Sequence, residues 1–282
     1  MENLGYYNGE IGLIDEIKVS INDRGCYFGD GVYEASCGKN HIPFLLDEHI
    51  DRCYRSAKML DIAIAMSKAE MKSLLLELVR MVDSPDILLY WQLTRGTGAR
   101  THAYSSIKTG PNLWVTVKPA FMKDMYKTYK LITMPDIRFA MCHIKTLNLL
   151  PNIMASQQAE QAGCDEAVFH REGIVTECSH SNIHIIENGV LRTAPLSNLI
   201  LPGITRAALL KIAGEQGIQI RETAFTINEM IDADEVIYTS ASAPFSVVSD
   251  IDGKPVGGKA SGILNVLRHA FLEKMNLAFE LK

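Results

Sequence analysis

The sequence predicts a two-domain fold of mixed helices and strands, α+β or α/β in class, and three observations predict it. Its 282 residues exceed the length of a typical single domain. Apolar residues recur at helical spacing in some stretches and alternate as in strands in others, the two kinds following one another along the chain. The periodicity lapses over residues 119–125, a linker that divides a smaller N-terminal domain over 1–118 from a larger C-terminal domain over 126–282.

In the N-terminal domain, Asn8-Gly9 between strand-like runs predicts a hairpin, and the alternation over 17–21 predicts a short strand. The run Asp23-Arg24-Gly25-Cys26-Tyr27-Phe28-Gly29-Asp30-Gly31 holds three glycines and predicts a tight loop entering a strand at Val32-Tyr33. Asp47 is a candidate cap for a helix whose Ile50, Cys53, Tyr54, Ala57 and Leu60 share one face. Ser67-Lys68-Ala69-Glu70 is a capping box before a second helix. Strands follow over 87–94 and 113–117, joined by a polar loop from Arg95 to Tyr104 of a length that suggests function.

In the C-terminal domain, a strand over 129–133 precedes a helix over 148–163, with Pro151 in its first turn and Gly163 just past its end. Short strands over 165–170, 174–178, 182–187 and 190–193 follow, the last two joined by Asn188-Gly189, so the middle of the domain is antiparallel. A helix from Thr205, a strand over 220–225, a helix behind the box Thr226-Ile227-Asn228-Glu229, a strand over 235–239 and a helix over 262–277 complete the chain.

Composition narrows the function classes. Apolar residues make up 47%, charged residues 22%, and the net charge is −5 with Lys and Arg dispersed, which gives no footprint for nucleic acid or a membrane surface. No apolar run has the length of a membrane span, and Met1-Glu2-Asn3-Leu4-Gly5 lacks the features of a signal peptide, so a cytoplasmic protein is expected. The six cysteines are scattered without a C-x-x-C pair, which indicates neither a zinc site nor a disulfide framework. His180 and His184 share one face of a strand-like stretch without forming a metal pair, so no metal is expected. Gly96-Thr97-Gly98 lacks the third glycine and the setting of a dinucleotide site.

Three features point to a cofactor. Gly203-Ile204-Thr205 opens a helix, where free N–H groups and a hydroxyl make an anion site. Lys145 stands in the largely apolar Cys142-His143-Ile144-Lys145-Thr146-Leu147, and Glu177 closes a strand. Taken singly, Thr205 is an ordinary cap, Lys145 a side chain snorkelling to water and Glu177 a solvated carboxylate. Together they are the three groups pyridoxal phosphate requires: an amine for its aldehyde, an acid for its ring nitrogen and an anion site for its phosphate.

Glu177-x-Ser179-x-x-Asn182-Ile183, Leu191-x-Thr193 and Leu201-x-Gly203-Ile204-x-Arg206 resemble the signature of the fold-type IV (class IV) pyridoxal-phosphate aminotransferases. Asp23-Arg24-Gly25, Phe28-Gly29-Asp30-Gly31-Val32-Tyr33-Glu34, Glu48-His49-Ile50-Asp51-Arg52, Ile144-Lys145-Thr146-Leu147-Asn148 and Arg100-x-His102 extend the likeness, and within the family they look most like the bacterial D-amino-acid aminotransferases. The resemblance implies a small N-terminal α/β domain and a larger C-terminal mixed, β-barrel-like domain with helices. It implies Lys145 as the Schiff-base lysine and Glu177 at the pyridine nitrogen. Arg52, Ile204, Thr205, Ser240 and Ala241 would hold the phosphate. Tyr33 would meet the substrate carboxylate together with Arg100 and His102 from the other subunit of a homodimer. The implied reaction is a ping-pong exchange of an amino group between a D-amino acid, such as D-alanine or D-glutamate, and a 2-oxo acid, such as 2-oxoglutarate or pyruvate. A branched-chain L-amino-acid aminotransferase and aminodeoxychorismate lyase share the signature, and a non-catalytic binding protein is the alternative of another class. Four positions depart from the pattern: His184 stands for Phe or Tyr, His180 for serine, Ala241 for a hydroxyl residue and Ala35 for a bulkier aliphatic one.

Overall fold

The computed structural model describes residues 1–280, and its contacts divide the chain into two units. The first is Met1–Phe121 with the separate segment Ile144–Asn148 and the last turn of the chain from Ala278; the second is Met122–His143 and Leu149–Leu277.

In the first unit, Asn8 and Gly9 take φ of 48° and 103° and fold β1 (Leu4–Tyr7) back on β2 (Glu10–Gly12), the expected hairpin. No strand forms over 17–21. The segment follows a 3-10 turn, and Ile21 is exposed, so the alternation there has no buried face to serve. The glycine-rich run holds a short helix where a loop was expected: α1 (Arg24–Phe28) is capped by Asp23, whose carboxylate accepts from Gly25 N–H at 2.7 Å, and ends at Gly29 with φ of 60°.

The chain continues through β3 (Gly31–Lys39), β4 (Ile42–Pro43), α2 (Leu46–Met59), α3 (Lys68–Arg80), β5 (Ile87–Thr94) and β6 (Asn112–Pro119). The reciprocal box of Ser67 and Glu70 opens α3 as read, whereas α2 starts one residue before Asp47 behind a left-handed Leu45. The antiparallel sheet runs β2-β1-β6-β5-β3-β4. Ile87, Leu89, Trp91 and Leu93 alternate along β5 and form one core with Ile50, Cys53 and Ala57 of α2 and Leu75, Leu78 and Val79 of α3.

The second unit holds β7 (Thr128–Pro135), α4 (Leu150–Gln161), β8 (Glu166–Arg171), β9 (Ile174–Cys178), β10 (Asn182–Glu187) and β11 (Val190–Thr193). Then come α5 (Ile204–Glu215), β12 (Ile220–Glu222), α6 (Ile227–Asp232), β13 (Glu235–Thr239), β14 (Ser246–Ile251), β15 (Lys254–Pro255) and α7 (Ser261–Glu280). The hairpin of β14 and β15 escaped the sequence reading. Its core strand is the short apolar run Phe245-Ser246-Val247-Val248, and its turn is Asp252-Gly253.

The nine-stranded sheet is mixed, in the order β12-β11-β10-β13-β14-β7-β8-β9, with β15 on β14. Chain length forces it to curl. Five strand spacings separate β9 from β10, about 24 Å if flat, yet only Ser179, His180 and Ser181 join Cys178 to Asn182, a span of at most about 14 Å. The ends therefore meet, and Cys178 N–H donates to Ser181 O at 2.8 Å. No helix among the described residues is long and apolar enough to cross a membrane.

A methyl group at Gly31 would lie 2.5 Å from Leu93 O and 2.8 Å from Leu147 Cδ1. Gly31→Ala is therefore expected to lower stability by about 1–3 kcal/mol, read as a fall in the urea midpoint at unchanged slope.

Candidate active site

Lys145 belongs to the first unit because its segment adds to the edge of β3. Tyr33 N–H donates to Lys145 O at 3.0 Å, Leu147 N–H donates to Gly31 O at 3.1 Å, and Val32 pairs with Thr146 in an isolated bridge. The lysine is half-buried, its N–H donates to Ser56 Oγ of α2 at 3.4 Å, and its Nζ stands 4.2 Å from the centre of the Tyr33 ring. Tyr33 in turn stacks on Tyr90 at 5.6 Å. The structure thus brings together two of the sequence-predicted residues, Lys145 and Tyr33, and the alternation of β3 explains how: Tyr33 and Ala35 are half-buried while Val32 and Glu34 point into the core.

Glu34 is the acid of a buried cluster. Arg52 of α2 donates to both its carboxylate oxygens, from Nε and Nη2, at 2.7 Å each, and His49 Nδ1 lies 2.8 Å from Oε2. Burial raises the Glu34 pKa, but the charge and hydrogen bonds of Arg52 and the bond from His49 override it and leave it at about 2. Burial lowers the His49 pKa against the pull of Glu34. Arg52 is thus a fixed cation, its orientation set by a fork-to-fork contact that helical periodicity does not show.

Arg100 and His102 stand on an exposed loop after β5. Arg100 Cζ is 5.3 Å from the centre of the Phe28 ring, and the His102 ring centre is 5.5 Å from it. Among the described residues neither contacts Tyr33 or Lys145.

In the second unit, Glu177 is buried at the end of β9. Its Oε1 accepts from Arg138 Nη1 at 2.6 Å, and its Oε2 accepts from Asn182 Nδ2 at 3.1 Å and Leu201 N–H at 3.0 Å. Arg138, which the sequence reading missed, is held by Asp136 through Nε and Nη2 at 3.0 Å each, donates from Nη2 to Leu199 O, and lies over the Phe169 ring. Burial raises the Asp136 pKa, and Arg138 overrides it and pulls it down. The only signal in the sequence is an arginine two residues after an aspartate at a strand end.

Asn182 gathers the anion-site residues. Its Nδ2 donates to Leu201 O at 3.0 Å, and a Cβ at Gly203 would run into its Oδ1, so position 203 admits only glycine without rearrangement. Gly203 opens α5 with no side-chain cap. Asn182 also pairs with Thr239, whose next residue Ser240 starts a turn closed by Ala243 N–H to Ser240 Oγ at 3.1 Å. The structure therefore places Ile204, Thr205, Ser240 and Ala241 on two elements tied to one asparagine. His184, two residues on in β10, is fully buried with Nε2 2.9 Å from Thr239 Oγ1. Burial, with Arg206, holds its pKa at about 3, so it is neutral.

The turn between β9 and β10 is pinned from below by Glu166 of β8. Ser179 Oγ and Ser181 Oγ donate to its carboxylate, and His180 Nδ1 lies 3.0 Å from Oε2. His180 therefore acts as a clasp on the turn.

These residues fit pyridoxal phosphate. The first turn of α5 carries N–H groups that an α-helix leaves unpaired, no side chain caps it, and the hydroxyl of the buried Thr205 has no partner among the described residues. Glu177 is an anion held by a guanidinium, and the Lys145 amine rests on a ring face with no carboxylate against it among the described residues.

The profile of the family described as amino-transferase class IV matches residues 31–251. The D-alanine aminotransferase of Bacillus licheniformis is 42% identical over 260 residues, 92% of this chain and 92% of its own. That of Listeria monocytogenes serotype 4b (strain F2365) is 39% identical over 269 residues, 93% and 92% of the two chains. A thermophile's branched-chain amino acid aminotransferase, complexed with N-(5'-phosphopyridoxyl)-L-glutamate, superposes with a TM-score of 0.85 at 26% identity, covering 98% of this chain and 94% of its own. The branched-chain amino acid aminotransferase of Escherichia coli reaches 0.89 over 100% and 97% of the chains at 21% identity, a likeness of fold alone.

Two outcomes follow from the buried charges. The Glu34 pKa of about 2 lies below its ordinary value near 4.5, so its stabilisation is complete above pH 4.5 and lost as pH falls toward 2. Urea midpoints measured across that window should fall with acid in the wild type and fall less in Glu34→Gln. Arg138→Met leaves Glu177 and Asp136 buried without their cation and should cost about 3–5 kcal/mol, measured by chemical denaturation.

Proposed function

The chain belongs to the class IV aminotransferase family, and from that premise we propose that it exchanges an amino group between a D-amino acid and a 2-oxo acid, D-alanine with 2-oxoglutarate foremost. Class IV aminotransferases are pyridoxal-phosphate enzymes, so the chain is a transferase that uses this cofactor. The observation that carries the D-specific reading is the likeness to D-alanine aminotransferases across 92% of the chain. The Arg100-x-His102 loop supports it. A second reading, a branched-chain L-amino-acid aminotransferase, is favoured by the structural likeness to enzymes of that name, at 21–27% identity.

When bound, pyridoxal phosphate supplies an electron sink for the carbanion left as the substrate loses its α proton. Lys145 Nζ is the base that takes this proton and gives it back at the next step. Arg138 keeps Glu177 an anion, which favours a protonated ring nitrogen beside it. The α5 N–H groups of Ile204 and Thr205, the Thr205 hydroxyl, Ser240, the backbone of Ala241 and the fixed cation Arg52 are the phosphate-binding set. Tyr33, Arg100 and His102 bind the substrate carboxylate, the last two contributed by a second copy of the chain.

The second copy has a surface to meet. Leu150, Ile153 and Met154 lie on one face of α4 and are 68%, 61% and 48% exposed, while Ala155 and Ala159 on its other side are buried. An apolar helix face of this kind is what a homodimer covers. The same reading places the protein in the cytoplasm, where its six unpaired cysteines stay reduced.

Purified holoenzyme should transaminate D-alanine with 2-oxoglutarate and leave L-leucine nearly untouched; activity confined to L-leucine would overturn the D-specific reading. Lys145→Ala should lower the rate by at least about 10²–10⁴-fold. Ile153→Lys should shift the protein from dimer toward monomer in light scattering, and an unchanged mass would count against the α4 face.

A further inference from the structure

We infer that Arg24 is a positioning residue for the substrate carboxylate, acting through the Arg100-x-His102 loop; the inference rests on the reading of that loop given above. Arg24 is buried, and its guanidinium is used on every side. Nε donates to Asp30 Oδ2 at 2.7 Å, Nη1 donates to Thr101 O at 2.6 Å and Nη2 donates to His102 O at 3.3 Å. The two carbonyls it holds are those that follow Arg100, so the fork fixes the backbone from which both carboxylate-binding side chains depart. A planar guanidinium can span two adjacent carbonyls in this way, and an ammonium cannot.

The side chains are set on the same base. The Phe28 ring lies 4.7 Å from Arg24 Cζ, 5.3 Å from Arg100 Cζ and 5.5 Å from the His102 ring centre, so Phe28 from the last position of α1 touches all three. The base is itself braced. Asp30 also accepts from Arg95 Nε at 2.9 Å, and Arg95 donates onward to Leu60 O and Asp61 O. Tyr104 lies 3.8 Å over the Arg95 guanidinium and donates to Asp61 at 3.1 Å. The loop is thus tied near its start by Arg95, at its centre by Arg24 and at its far side by Tyr104, although its surface is open to solvent. In a homodimer each copy's Arg24 sets the geometry of the loop it lends to the other.

A double-mutant cycle tests this on the holoenzyme. Arg24→Lys keeps a cation for Asp30 and loses the two-carbonyl span; Arg24→Gln removes both. Each should raise the KM for D-alanine and for 2-oxoglutarate roughly tenfold, because a small misplacement of binding groups is enough, with kcat within about twofold and the absorbance of bound cofactor unchanged. In an Arg100→Ala/His102→Ala background, adding Arg24→Lys should change KM by less than about twofold, since the groups it acts through are gone. Unchanged KM in Arg24→Lys, or full additivity in the cycle, overturns the inference alone. Unchanged KM in Arg100→Ala/His102→Ala overturns the carboxylate reading and this inference with it.

Discussion

A carboxylate taken out of water costs several kcal/mol unless a cation and hydrogen bonds replace its solvent, and the second unit is arranged around meeting that demand at Glu177. Arg138 meets it, and Arg138 in turn needs Asp136, which also accepts from Arg171 Nε and Thr176 Oγ1. The pair therefore locks the end of β7, the length of β9 and the loop at Leu199 into one arrangement. Leu201 N–H and Asn182 complete the shell of Glu177, and Asn182 leaves no room for a side chain at Gly203. Where α5 begins is thereby decided by how one acid is satisfied. The acid for the ring nitrogen and the N–H groups for the phosphate share a scaffold.

The first unit solves the same problem with different groups. Glu34 has no exposed surface, and Arg52 and His49 satisfy it from one face of α2. With His49 neutral, the pair of Glu34 and Arg52 balances, and the guanidinium is held in one orientation. An arginine so fixed attracts an anion as a preset charge and loses little conformational freedom when it does. Glu166 is a third instance, with His180 and two serine hydroxyls as its shell. The histidine that departs from the family pattern is thus accounted for as a partner for an acid.

What the sequence made legible was what local chemistry determines. Ser67-x-x-Glu70 and Thr226-x-x-Glu229 opened helices, Asn8-Gly9 and Asn188-Gly189 turned hairpins, and Pro151 and Gly163 bracketed α4. Lys145, Glu177 and Thr205 were legible as a set because a cofactor demands three kinds of group together. What escaped depends on residues far apart in the chain. Arg138 lies 39 residues from Glu177, and ion pairs at such separation leave no periodic trace. The attachment of Lys145 to the first unit follows from Gly31 and Leu147 pairing, which neither segment announces alone. Residues 17–21 had strand alternation without a sheet position to occupy, and the helix at Arg24 is too short for periodicity to reveal.

The strand order also fixes a sequence of events during synthesis. β14 lies between β13 and β7, yet it is the last long strand of the sheet to leave the ribosome. Thr133 and Asp252, which meet when β14 docks beside β7, are 119 residues apart, so this closure carries a large loop entropy and comes late. Until then β7 and β13 each present an open edge, the kind of surface on which chains pair wrongly with one another. A nascent or truncated chain that ends before Ile251 is in that condition permanently. Aggregation of the unfinished chain, rather than loss of any group that touches the substrate, is the hazard this topology builds into its own assembly.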